Sequence, residues 1–179
     1  MKKMPCTTKN AKGFTLVELM IVIVLGGLLI AVAIAAAPRI QASISANKDM
    51  ATIPDITANV QAHFSLKSNF ATLTNTIVTS YKLVPDDMIT GAGVIANRHA
   101  GAVTLAPVTV SVANDSFSLS YGGVPSRVCL KVVPQLAPQY LALSINGTVV
   151  KPVGGVLDEA TAATQCDNAV NTLLFTASK

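Results

Sequence analysis

Hydrophobic positions along the chain fall into two regimes. From Leu19 to Ala37 no residue carries a charge and most are Leu, Ile, Val or Ala, so a helix built from them has no polar face. Extended back to Phe14, the run makes 24 residues, about 36 Å at ~1.5 Å per residue, which is enough to cross a bilayer. Beyond Pro38 the pattern becomes amphipathic: Ile40 and Ile44, then Ile53, Ile56, Val60 and Phe64, recur at spacings of three and four. Pro38 and Pro54 each remove a helical donor. The pattern therefore predicts one long, bent helix over 14–66, apolar all round in 14–37 and laying one face on a sheet thereafter.

Residues 67–101 read as a connecting region, with a short helix near Asn75–Lys82, a break at Val84-Pro85-Asp86-Asp87-Met88 and a loop punctuated by Gly91, Gly93 and Gly101. Strand patterns dominate 102–179. Ala102–Val112 is interrupted by Pro107, which suggests an edge strand or a bulge. Phe117, Leu119 and Tyr121 alternate on one face, predicting a half-buried strand. Pro125–Ala137 reads as a helix with proline in its first turn. Leu141–Ile145 and Thr148–Val150 flank Asn146-Gly147, a tight-hairpin signal. Asp158–Gln165 resembles a short capped helix and Thr172–Thr176 a last strand. The fold class is α+β, a long N-terminal helix packed on an antiparallel sheet. No second run of 18 apolar residues occurs, so the positive mean hydropathy does not describe a multi-spanning protein.

Charge sharpens the division. Lys2, Lys3, Lys9 and Lys12 precede Gly13 with no acid among them, and carry the whole formal charge of +4. The nine remaining basic residues balance nine acids. The basic excess is a short stretch that the positive-inside rule holds in the cytoplasm, and no nucleic acid partner is indicated. One acid, Glu18, stands just inside the apolar run. A carboxylate at such a depth is by default functional and needs a named partner. The best candidate is the amine created at Phe14 by a cut after Gly13. Two other readings compete. In one, a plain secretory signal is cut at Ala35-Ala36-Ala37, which leaves Glu18 unexplained. In the other, Glu18 snorkels to the headgroups from a permanent anchor.

Lys12-Gly13-Phe14-Thr15-Leu16-Val17-Glu18 resembles the class III signal of type IV pilins. The resemblance implies that a prepilin peptidase removes the leader 1–13 by cutting between Gly13 and Phe14, and N-methylates Phe14. It also implies that Glu18 pairs with the Phe14 amine of a neighbouring subunit during assembly. Such a pair is satisfied only in the assembled state, which makes it a registry device. The implied protein is a structural subunit, a homo-oligomer whose identical copies join by a non-closing rotation into a helical filament. It would reside in the inner membrane as a precursor, be handled there by the pilus assembly machinery, and end in an extracellular pilus on the bacterial surface. Adhesion, aggregation, motility or conjugation are the roles such filaments serve. Gly26-Gly27 stands where many pilins carry a proline. Length and sheet content lean towards a major pilin, with type IVb-like features including those of conjugative thin pili. A pseudopilin of type II secretion shares the leader and is the alternative.

Of three cysteines, Cys6 lies in the leader, leaving Cys129 and Cys166. Two cysteines in an exported chain suggest one disulfide, as in the disulfide-bounded C-terminal region of type IV pilins, against two separate thiols. Closing a loop of about 38 residues contributes roughly 4 kcal/mol in the chain-entropy account. His63 and His99 show no ligand spacing with them, and no metal or other cofactor is expected. Asp86 and Asp87 follow a proline and read as a turn or helix N-cap. Arg98 and His99 read as solvated or intersubunit surface. Asn114-Asp115-Ser116 and Asn146-Gly147-Thr148 fit the glycosylation acceptor pattern, but turn formation explains them. No nucleophile elbow, zincin, Walker or dinucleotide fingerprint is present, so no catalytic residue is assigned. A membrane-anchored enzyme or a non-polymerising binding domain is the alternative from a different class.

Overall fold

The computed structural model describes residues 15–179. The chain divides into two compact units, one ending at Ile40 and the other running from Gln41 to Lys179. Helix α1 spans Leu16–Phe64 and contains both Pro38 and Pro54, so neither proline ends it. Within the second unit, Ala46, Ile53, Ile56, Val60 and Phe64 are fully buried. The three-and-four spacing thus becomes the core stripe of α1, and its burial outweighs the donor lost at Pro54.

Among the described residues seven strands form one sheet, ordered β1-β2-β3-β4-β7-β5-β6, with every neighbouring pair antiparallel. In chain order they are β1 (Ile89–Gly91), β2 (Val94–Ala96), β3 (Ala102–Val108), β4 (Ser116–Pro125), β5 (Ala142–Ile145), β6 (Thr148–Lys151) and β7 (Val170–Ser178). Helix α2 (Asn75–Ser80) precedes the sheet, α3 (Ser126–Leu136) joins β4 to β5, and α4 (Glu159–Cys166) leads into β7. The last strand of the chain therefore lies inside the sheet, between β4 and β5.

The region read as a connector, 67–101, already contains β1 and β2. Each has three residues, too few to show a period of two. Phe117, Leu119 and Tyr121 are buried on one face of β4, and on the other Ser116 and Ser118 are buried while Ser120 is half-buried. Pro107 needs no ladder donor on its outer side, because β2 pairs only with Ala102 and Val103 of β3. Beside that gap the Asn75 side chain takes the place of a strand, donating to Val103 O (3.1 Å) and accepting from Leu105 N (2.8 Å). At the hairpin, Asn146 and Gly147 have φ of 52° and 84°, the left-handed pair that a two-residue turn requires.

Candidate assembly site

Helix α1 opens at Thr15, whose Oγ1 accepts the Glu18 N–H at 3.2 Å. Thr15-Leu16-Val17-Glu18 is thereby a capping box in form, with the acid at the third helical position. That placement suits a carboxylate, because the unpaired N–H groups of a first turn carry partial positive charge. The Ser/Thr-x-x-Glu signature ahead of an apolar run marks this cap in the sequence, a second reason for the position of Glu18 beside its place in the bilayer. Gly13, Phe14 and Cys6 lie outside the described residues.

Following Glu18, the large apolar side chains from Leu19 to Ile34 are all exposed. The segment is long and apolar enough to cross a membrane. Glu18 is the only acid in α1 ahead of Asp49. A rod of this kind with one carboxylate in its first turn can lie in lipid or against other such rods, and water is its least favourable surrounding.

The second half of α1 carries a site that the sequence reading missed. Asp49 is 1% exposed and accepts three hydrogen bonds. Arg98 Nε (2.9 Å) and the Tyr121 hydroxyl (2.8 Å) donate to Oδ1, and His99 Nε2 lies 2.7 Å from Oδ2. Arg98 also donates to Thr52 Oγ1 at 3.2 Å. Burial, then the adjacent Asp49 carboxylate, push the Tyr121 hydroxyl far above its ordinary range. Arg98 and His99 are thus not solvated or intersubunit surface as their sequence suggested; they clamp the sheet to α1. The signal was available, since Asp49 falls on the same stripe as Ala46, Ile53 and Ile56, where a charge demands a partner.

Asn97 shapes the clamp loop. Its Oδ1 accepts from His99 N (2.9 Å) and Gly101 N (3.0 Å), while its Nδ2 donates to Gly122 O (2.6 Å). Gly101 is required there: a Cβ would lie 1.9 Å from Gly122 O. The register shift in β4 between Tyr121 and Val124 accommodates this close approach.

Cys129 on α3 and Cys166 on α4 form a disulfide, with their Cα atoms 5.6 Å apart. Asp86, which opens the 3₁₀ turn Asp86–Met88, pairs with Lys82 at 3.1 Å on the surface. Asn146 spends its side chain on Gln165, Asn171 and Thr172, as a turn residue does.

With this geometry in place, two protein families match. The prokaryotic N-terminal methylation motif covers residues 8–34, and the family described as PilS N terminal covers residues 43–178, well over half of the chain. The chain belongs to the PilS family of type IV pilins. Its fold is similar to that of the type IV b pilin from Salmonella typhi, at TM-score 0.59 and 17% identity over 74% of this chain and 99% of the other. The type IV pilin TcpA from Vibrio cholerae El Tor biotype aligns at TM-score 0.55 and 14% identity, covering 75% and 99%. No curated protein matches the chain. At such identities the structures share a fold, and the pilin's own residues must carry anything finer. The long helix, antiparallel sheet and C-terminal disulfide are the pilin architecture, and the methylation motif accompanies a class III signal.

Proposed function

We propose that this pilin is the structural subunit of a type IV pilus. It is cut between Gly13 and Phe14 by a prepilin peptidase, methylated at Phe14, and polymerised from the inner membrane through α1 into a surface filament. The observation that carries this reading is the exposed apolar segment Leu19–Ile34 with Glu18 in its first turn. A capping role and an assembly role for Glu18 are compatible: the first-turn field makes the carboxylate easier to hold in an apolar surrounding. Charge complementarity to the Phe14 amine of another copy would then supply its partner in the filament. The PilS match favours a pilus over the type II secretion pseudopilus.

Mass spectrometry of the mature N-terminus tests processing, with a methylated Phe14 as the expected result. An intact leader, or a start after Ala37, overturns it. A Glu18→Ala variant should be membrane-inserted yet unassembled; normal filament yield from it would refute the pairing.

A further inference from the structure

We propose that the groove between α3 and α4 receives the Leu66–Lys67 turn of a second copy, a contact that rests on the filament reading above. The groove holds about 280 Å³ and is lined by Leu130, Val133, Pro134, Leu157 and Ala163, with Glu159 at its edge. From Pro152 to Ser178 the chain carries Asp158, Glu159 and Asp167 and no base. Helix α3 adds two cations, the exposed Arg127 one turn before Leu130 and Lys131, which donates to Ser43 on α1. The groove is therefore apolar, with an acidic margin on its α4 side.

The proposed occupant has the opposite character. Leu66 is 99% exposed, yet the turn that presents it is fixed by Ser65 N to Ala62 O (3.3 Å) and Lys67 N to Phe64 O (3.0 Å). The Lys67 ammonium stands 4.3 Å from the Phe64 ring centroid, and Lys179 Nζ donates to Lys67 O, so two cations flank the leucine. From Ile56 to Pro85 the chain has no acid, and Lys82, its other lysine, is engaged by Asp86. A rigid leucine knob with a basic flank fits an apolar groove with an acidic edge.

The two surfaces also lie apart along α1. Helix α3 touches α1 at Ser43, and from there to Phe64 the helix rises about 30 Å at ~1.5 Å per residue. A self-pairing of either surface would set like charges together. Pairing one surface with the other is heterologous, which carries copies along an axis instead of closing a dimer. The partner is a second copy of this chain, and the contact stabilises the filament outside its apolar helices.

The test uses full-length variants expressed in place of the wild-type chain, with sheared surface filament and membrane-held subunit quantified by immunoblot. Leu66 and Ala163 are exposed, so Leu66→Asp and Ala163→Asp leave the fold intact. Each should lower sheared filament by at least about tenfold, the scale of one leucine burial, with the membrane pool unchanged. Lys67→Glu and Glu159→Lys should each weaken assembly, and the double exchange should recover most of it. Wild-type yield from Leu66→Asp, or a double exchange no better than its singles, overturns the contact. Filament missing from the wild type itself overturns the filament reading, and this contact with it.

Discussion

Replacing Asp49 by alanine removes the single acceptor shared by Arg98, His99 and Tyr121. The three donors are not equally exposed. Tyr121 is fully buried, the His99 side chain is 9% exposed, and the Arg98 side chain is 29% exposed and can rehydrate in part. An orphaned buried hydroxyl costs about 1–3 kcal/mol, and breaking a buried ion pair by removing one partner costs roughly 3–5 kcal/mol. These overlap because they share one carboxylate, so Asp49→Ala should destabilise the Gln41–Lys179 unit by about 3–5 kcal/mol. The melting temperature should fall by at least about 10 °C. Thermal unfolding of the full chain in mild detergent, followed by near-ultraviolet circular dichroism, reads this out. Asp49→Asn retains an acceptor but not the charge and should lose less. A loss below about 1 kcal/mol for Asp49→Ala would refute the view that the clamp fastens the sheet to the helix.

Gly101→Ala should be at least as damaging, about 3 kcal/mol or more, because its Cβ meets the Gly122 and Gly123 backbone instead of a movable side chain. Hydrogen exchange over the Asn97–Gly101 loop would show the release. Converting both Cys129 and Cys166 to serine should cost roughly 4 kcal/mol, measured by denaturant unfolding with and without reductant. The Asp115 carboxyl is lowered from 3.8 to about 2, first by the Val110 and Val112 N–H groups, then by Ser111. Its folded value lies below its unfolded one, so its contribution is complete above pH ~4 and lost as pH falls towards 2. The Thr109–Asn114 loop should exchange faster in that window, and Asp115→Asn should remove the pH dependence.

Much of the molecule was legible because it is written locally. The stripe from Ile53 to Phe64, the proline ahead of α3, the Asn146-Gly147 turn and the Asp158 cap that accepts Thr161 N each depend on residues within a few positions of one another. Strands β1 and β2 escaped because three residues carry no period and are held only by their partners. Arg98 and His99 escaped for a related reason: the stripe of α1 shows that Asp49 needs a partner, but that partner lies about fifty positions later and no local pattern names it.

By itself the sequence determined the apolar rod, its solitary acid, the basic stretch ahead of Gly13 and the α+β class, since charge and hydrophobic period are properties of neighbours in the chain. Only the tertiary structure decided which strands adjoin, put the last strand inside the sheet and closed the clamp on Asp49. Those outcomes follow from burial. A carboxylate or a strand edge acquires its partner when the chain folds back on itself, and spacing along the chain does not encode which partner that is.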